Sequence, residues 1–85
     1  MTSALAALAD PTRRHIIELL SHGELPAGAI AIRFKASAPA ISQHLKVLKD
    51  AQLVRARVDA QRRIYALDPR GFAEIEAWLA TLRKT

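Results

Sequence analysis

The stretch from Ser37 to Val54 constrains the fold of this 85-residue chain more than any other, because its side chains separate into two helical faces. Ile41, Leu45 and Leu48 recur at the spacing of one apolar helix stripe. The opposite side carries hydrogen-bonding and cationic side chains, namely Ser42, Gln43, Lys46 and Lys49. The pattern predicts a helix whose back packs on a small core and whose front offers side chains that suit base edges and phosphates.

A shorter helix is predicted just before this one. Residues 26–34 have apolar side chains at helical spacing, and a link of only three residues, 35–37, follows them. Ser37 is a favourable N-cap, and Pro39 is tolerated in the first turn because the amides there have no intrahelical acceptor. Two helices joined by so short a link predict a helix-turn-helix over residues 26–51.

A β-hairpin is predicted directly after the two helices. Residues 53–58 alternate in polarity, a turn follows, and residues 62–67 form the return strand. We expect Ile64 and Leu67 to point inward and Tyr65 to lie on the other face. Because the hairpin is rich in arginine, it is either a wing that follows a nucleic-acid backbone or an ordinary exposed hairpin whose arginines aid solubility.

Positive charge is concentrated in the same part of the chain. The net charge is +5, and eight cations but only two carboxylates lie between Arg33 and Arg63. The middle third therefore has a larger positive excess than the whole chain. Such a field attracts a polyanion, while a solvated basic surface is the simpler explanation of charge alone.

Three further helices are predicted outside this region. Residues 3–9 are rich in Ala and Leu, and a second helix starts at Asp10 and Pro11, a favourable cap and first residue. Arg13 and Arg14 lie near that start, where the helix dipole disfavours cations, so we expect a phosphate or a carboxylate as their partner. The last helix follows Asp68 and carries an apolar stripe that we expect to pack on the first helix, on a second copy of the chain, or on both.

Composition excludes several function classes. The chain has no cysteine, which excludes disulfides, thiolate metal sites and cysteine nucleophiles, and we expect a cytoplasmic protein. No run of about 18 apolar residues predicts a membrane span, and no basic segment that would indicate a signal peptide opens the chain. None of the three histidines has another histidine three or four residues away, and neither a catalytic triad nor a glycine-rich phosphate loop is evident, so we expect no enzyme.

Four motifs resemble the ArsR/SmtB family of winged-helix transcriptional repressors. They are LADPTRR at residues 8–14, IIELL at 16–20, SQHLKVL at 42–48 and the hairpin end YALD at 65–68. The resemblance covers essentially the whole chain. Its most specific part is the combination of Asp-Pro-Thr-Arg with Ser-Gln-His-Leu-Lys.

The resemblance implies one mainly α domain over residues 1–85, a dimeric winged helix-turn-helix of order α-α-α-α-β-β-α with its wing at 53–67. It implies a homodimer built from helices 3–9 and 69–83 that represses transcription by binding double-stranded operator DNA, with the operator expected to be an inverted repeat. The implied DNA-binding residues are Ser37, Pro39, Ala40, Ser42, Gln43, His44, Lys46, Arg57, Arg62 and Arg63. The implied dimer residues are Leu5, Leu8, Ile75, Trp78, Leu79 and Leu82.

The chain departs from the family pattern at its metal sites. Residues 24–28 replace the cysteine-containing metal motif, and the last helix has no histidine for a site at the dimer interface, so we expect no metal or cofactor. The sequence identifies no effector. Gln52 stands where relatives usually have glycine, so a positive φ there would be strained. The alternative function is a winged-helix module that docks an acidic protein partner.

Overall fold

The computed structural model describes residues 3–83, and these form the predicted winged helix-turn-helix, mainly helical with a small β-hairpin. The elements are α1 (Ser3–Ala7), α2 (Pro11–Leu20), β1 (Leu25–Pro26), α3 (Ala27–Phe34), α4 (Ala38–Asp50), β2 (Val54–Asp59), β3 (Arg62–Leu67) and α5 (Pro69–Leu82). The three strands form one antiparallel sheet in the order β1-β3-β2. Within the described range, no helix has the length and hydropathy needed to cross a membrane.

Helix α4 starts and packs as its sequence predicts. The Ser37 hydroxyl accepts a hydrogen bond from the Ala40 amide at 3.2 Å and so caps the first turn. Ile41, Leu45 and Leu48 are at most 1% exposed. Complete burial of such side chains contributes roughly 1.5–3 kcal/mol each, so this stripe fixes which side of α4 faces the core.

Helix α1 faces the core with its alanines rather than with its leucines. Ala4 and Ala7 are buried, whereas Leu5 and Leu8 are only half-buried. Two alanines allow α1 to lie close to α4 and α5, the elements that it contacts. Helix α1 also ends at Ala7 rather than at residue 9. The two leucines are therefore left at the surface of the chain rather than in its core.

Within the chain, Arg13 and Arg14 bind backbone carbonyls rather than the carboxylate that was one of their two predicted partners. Arg13 Nε donates a hydrogen bond to the Ala7 carbonyl at 2.6 Å, and an Arg14 guanidinium nitrogen donates to the Leu8 carbonyl at 2.7 Å. Both carbonyls lie at the carboxyl end of α1, where unpaired carbonyls and the helix dipole favour a cation. The two arginines thus join the start of α2 to the end of α1.

Strand β1 was not predicted from the sequence. Residues 25–26 pair with Tyr65 and Ile64 of β3, and Pro26 is the N-cap of α3 rather than its first residue. Two residues are too few to show a strand periodicity. The consequence is that the start of α3 is tied to the sheet.

The hairpin buries Ile64, as predicted, but it also buries Tyr65, which was expected on the exposed face. The register pairs Ala56 with Tyr65 and Arg57 with Ile64, and cross-strand partners share a face. Tyr65 belongs to the hydrophobic core, and Ile64 lies on the outer face with Arg57, where it is nevertheless only 5% exposed. Since side chains alternate along a strand, Leu67 shares the core face with Tyr65 and cannot share a face with Ile64.

The turn that ends α4 lies directly against the start of α5. Gln52 has φ of +61°, the left-handed conformation expected from its position in the sequence. The Gly71 amide donates to the Gln52 carbonyl at 2.8 Å. A Cβ on Gly71 would lie 2.7 Å from the Gln52 carbonyl oxygen and 2.8 Å from that of Ala51. Gly71 is therefore required for the close approach of α5 to this turn.

Asp68 holds the first turn of α5 in place. Its carboxylate is buried and accepts hydrogen bonds from the Arg70 amide at 3.0 Å and from the Arg70 guanidinium at 2.7 Å. The guanidinium contact, followed by the amide, lowers the pKa of Asp68 below its usual value. The Asp68 amide also donates to the Leu53 carbonyl at 2.9 Å, which connects α5 to the residue before β2.

We expect Gly71→Ala to lower the free energy of unfolding by roughly 1–3 kcal/mol, because the added methyl group meets backbone oxygens that cannot move independently. Urea unfolding measures the change. Gly28→Ala on α3 is the matched control, since a Cβ there meets nothing within 4 Å and should be neutral or stabilising by about 0.5–1 kcal/mol. Equal responses of the two variants would show that α5 does not approach the turn closely.

We expect Gln52→Gly to raise the free energy of unfolding by about 1 kcal/mol, because glycine adopts positive φ without a Cβ penalty. The melting temperature should rise accordingly. Gln52→Ala provides the control, since it keeps the Cβ and should bring no gain. A lower melting temperature for the glycine variant would show that the backbone at this position is unstrained.

Candidate nucleic-acid interface

The polar front of α4 and the inner face of the wing form the two sides of one open groove. The groove has a volume of about 490 Å³. Its lining residues are Ser42, Gln43, Lys46, Lys49, Asp50, Arg63 and Tyr65. We call this surface the α4–β3 groove. It combines a neutral amide and hydroxyl, which can pair with base edges, with cations that can contact phosphates.

The cations of the α4–β3 groove are available for an external anion. Lys46 Nζ lies 3.0 Å from a carboxylate oxygen of Asp50, but both side chains are well exposed, and such pairs contribute little. Within residues 3–83, neither Lys49 nor Arg63 has a carboxylate within ion-pair distance. The groove therefore presents three cationic side chains beside Gln43.

The structure separates the three wing arginines that the resemblance implied as one set. Arg63 shares its strand face with Tyr65 and lines the α4–β3 groove. Arg57 lies on the opposite face, where its guanidinium donates to Glu24 at 2.6 Å and lowers the pKa of that carboxyl. Arg62 lies at the tip of the hairpin, 3.5 Å from a carboxylate oxygen of Asp59.

A second recess joins the wing tip to the first turn of α3. It has a volume of about 590 Å³ and is lined by Pro26, Ala27, Gly28, Ala29, Gln61, Arg62 and Arg63. The first amides of α3 have no side-chain acceptor at the N-cap, because that residue is Pro26, and two arginines lie beside them. Free amides at a helix start and nearby guanidinium groups are both suited to phosphate oxygens.

The remaining predicted DNA-binding residues fall into two groups. Ser37, Pro39 and Ala40 are exposed at the start of α4, and the Ser37 hydroxyl is engaged in the cap. His44 is half-buried on a flank of α4, where its Nδ1 lies 4.0 Å from a carboxylate oxygen of Asp10. His44 is therefore directed toward the start of α2, and it is not among the residues that line the α4–β3 groove.

Three groove residues, Lys49, Asp50 and Tyr65, were not among the site residues expected from the sequence. Lys49 follows Lys46 by three positions, so the helical pattern of α4 already placed it on the same front. Tyr65 depended on the hairpin register, which the sequence did not define. No group of three metal-ligating side chains occurs among the residues that the structure describes.

An exposed apolar surface lies on α5. Trp78, Leu79 and Leu82 are 40%, 42% and 57% exposed, and Ile75 is half-buried beside them. Helix α1 contacts α5 and adds the half-buried Leu5 and Leu8 to this surface. We call these six side chains the α1–α5 apolar face. Exposed apolar patches of this kind mark sites of association.

Comparison of the sequence with known families gives one match over more than half of the chain. Residues 10–56 match the family described as "Bacterial regulatory protein, arsR family". The HTH-type transcriptional regulator Rv2034 of Mycobacterium tuberculosis is 54% identical over 85% of this chain and 67% of its own length. The transcriptional repressor SdpR of Bacillus subtilis is 37% identical over 93% of this chain and 88% of its own length.

The fold also matches solved structures along almost its whole length. One is the solution structure of a homodimeric winged helix-turn-helix DNA-binding domain from Mycobacterium bovis. It superimposes with a TM-score of 0.80 at 30% sequence identity, covering 95% of this chain and 75% of the other. The sequence relatives and this structural relative therefore agree with the architecture built from the residues.

Proposed function

The chain belongs to the ArsR family of bacterial regulatory proteins, and we propose that it acts as a homodimeric repressor that binds an inverted-repeat operator. Members of this family are DNA-binding transcriptional regulators rather than enzymes. The observation that supports the DNA-binding surface is the α4–β3 groove, in which Gln43 lies among three cationic side chains. Repression is supported by the relative SdpR, which is itself a transcriptional repressor.

In the proposed complex, α4 is the recognition helix and enters the major groove. Gln43 and Ser42 read base edges, because an amide can pair with a base through two hydrogen bonds and a hydroxyl can donate or accept one. Lys46, Lys49 and Arg63 contact phosphates on either side of the bases. Ser37, Pro39 and Ala40 lie at the amino end of the helix, where the backbone can approach DNA closely.

The wing contributes through Arg62 and Arg63 rather than through Arg57. Arg62 can leave its long, exposed contact with Asp59 to reach a phosphate or the minor groove. Arg57 has a shorter contact with Glu24, at 2.6 Å, and points away from the recognition helix. We therefore rank Arg62 and Arg63 above Arg57 as DNA contacts.

The α1–α5 apolar face is the proposed dimer interface. None of its residues lines the α4–β3 groove, and the homodimeric domain from Mycobacterium bovis shares the fold. A two-fold axis through this face would place two recognition helices in successive major grooves, about 34–36 Å apart. We further propose that the dimer acts in the cytoplasm, on operator DNA near a promoter.

We expect Gln43→Ala to weaken binding to the operator more than binding to random DNA, because an alanine cannot pair with a base edge. Fluorescence anisotropy on a duplex selected from a random library, with a shuffled duplex as control, measures both affinities. Lys46→Ala should weaken the two duplexes about equally. If the unmodified protein binds neither duplex but binds an acidic protein, the module that docks an acidic partner is the correct function.

We expect Arg62→Ala and Arg63→Ala each to reduce the slope of log affinity against log salt by about one unit, because each variant neutralises one phosphate fewer. Arg57→Ala is the matched wing control, and its slope should change less, because Glu24 already holds that side chain at 2.6 Å. Unchanged slopes for Arg62→Ala and Arg63→Ala would remove the wing from the interface.

We expect Leu79→Glu to convert the dimer to a monomer, because it places a charge in the α1–α5 apolar face while leaving the core of one chain intact. Sedimentation velocity measures the oligomeric state. Ile32→Glu changes a more exposed apolar residue, on α3, and should leave the dimer unchanged. If Leu79→Glu remains a dimer, or if the unmodified protein is already a monomer, the α1–α5 apolar face is not a dimer interface.

A further inference from the structure

We infer that Asp10 is a positioning residue for the recognition helix, and that its contact with His44 strengthens operator binding when the imidazole is protonated. The inference rests on the proposed function, because it concerns the same helix. It also changes the role of His44. The resemblance implied a DNA contact for this histidine, whereas the geometry directs its ring to a carboxylate of the protein itself.

The contact joins the start of α2 to the flank of α4. One Asp10 carboxylate oxygen accepts a hydrogen bond from the Arg13 amide at 3.0 Å and lies 4.0 Å from Nδ1 of His44. The two side chains are 34% and 25% exposed, so neither is free in solvent. Asp10 thus has two functions, as the N-cap of α2 and as the anion that faces His44.

This junction includes three helices. Arg13 extends the connection to α1 through its 2.6 Å hydrogen bond to the Ala7 carbonyl. The apolar stripe on the back of α4 sets which side of the helix faces the core, but apolar contacts are non-directional and do not by themselves fix the fine rotation about the helix axis. A polar contact on the flank resists that rotation. Since Gln43 precedes His44 directly, rotation of α4 would displace the proposed base-reading side chain.

The protonation state of His44 controls the strength of the contact. The Arg13 amide is the main cause of the lowered pKa of Asp10, so this carboxylate is ionised throughout the range in which imidazoles ordinarily exchange a proton, about pH 5–8. A neutral imidazole 4.0 Å away interacts weakly with it, whereas an imidazolium gains a charge–charge attraction. Operator affinity should therefore increase as the pH falls from 8 to 6.

Charged groups on the other elements that pack against α4 do not replace Asp10. Helix α1 carries no charged side chain, and α3 adds only Arg33. Helix α2 adds Arg13, Arg14, His15 and the carboxylate Glu18. Strand β2 carries Arg55, Arg57 and Asp59, and α4 itself carries Lys46, Lys49 and Asp50. Among the described carboxylates, that of Asp10 alone lies within 4.0 Å of the His44 ring.

The chain offers a matched variant that removes the charge and keeps the cap. Asn is as good an N-cap as Asp, so Asp10→Asn preserves the hydrogen bond to the Arg13 amide while removing the negative charge. The background for all variants is the full chain with His15→Gln and His22→Gln, because those two histidines are exposed and His44 is then the only one left. Urea unfolding of each variant at pH 6 and pH 8 verifies that it folds.

The decisive measurement is the ratio of affinities at pH 6 and pH 8 for the duplex selected from a random library. In the background chain we expect affinity at pH 6 to be about two- to five-fold higher, the size typical of one partly exposed charge pair. Asp10→Asn should bring the ratio close to one, and His44→Gln should do the same. The double variant, Asp10→Asn with His44→Gln, should have the same affinity ratio as either single variant.

The other outcomes overturn either the inference or the proposed function on which it rests. A ratio that persists in Asp10→Asn but is lost in His44→Gln would show that His44 contacts a phosphate directly. A ratio near one in the background chain would show that the pair has no effect on binding. Failure of the background chain to bind the duplex at either pH would instead contradict the proposed function. The contact can also be tested without DNA, from the free energies of unfolding in urea at pH 6. If the effects of Asp10→Asn and His44→Gln simply add in the double variant, the two side chains do not interact.

Discussion

Burial of the stripe formed by Ile41, Leu45 and Leu48 determines the orientation of everything that this protein offers to a ligand. Three fully buried aliphatic side chains on one side of a 13-residue helix leave its opposite side facing outward. The polar front of α4 is exposed because the apolar back of the same helix is buried. Four other elements, α1, α2, α3 and β2, contact the same helix.

The ends of α4 are held as firmly as its back. Ser37 caps the first turn, and the turn at Gln52 connects the last turn to the amide of Gly71 on α5. Because α5 also carries most of the α1–α5 apolar face, the helix proposed to read DNA and the helix proposed to form the dimer meet at one hydrogen-bonded turn. At this turn, Gln52 adopts a strained positive φ and Gly71 cannot be replaced without a steric clash. The turn therefore keeps a defined angle between α4 and α5 at a cost in folding stability.

Much of this architecture could be predicted from the sequence because helix periodicity and caps are local signals. The stripe of α4, the caps at Ser37, Asp10 and Asp68, and the positive φ of Gln52 all depend on residues close together in the chain. The features that were missed depend on distant pairing. Strand β1 exists only because β3 lies beside it, and the faces of Ile64 and Tyr65 follow from a register that the sequence did not define.

The candidate site was predictable to the same extent. The helical front that carries Gln43 and Lys46 follows from periodicity alone, whereas the division of the wing arginines required the structure. Adjacent arginines in a strand point to opposite faces, so only Arg63 of the Arg62–Arg63 pair lines the α4–β3 groove. The partner of Arg57 comes from 33 residues away. The turn of His44 toward Asp10 is likewise a contact between two helices, which no local pattern indicates.

The central claim is that two copies of α4 lie in successive major grooves on one face of the duplex. Hydroxyl-radical footprinting of the bound duplex tests it most directly, because each recognition helix and its wing shield the sugars beside them. We expect two protected patches related by two-fold symmetry, with centres about 10–10.5 base pairs apart. A single protected patch, or weak protection spread evenly along the duplex, would contradict the claim.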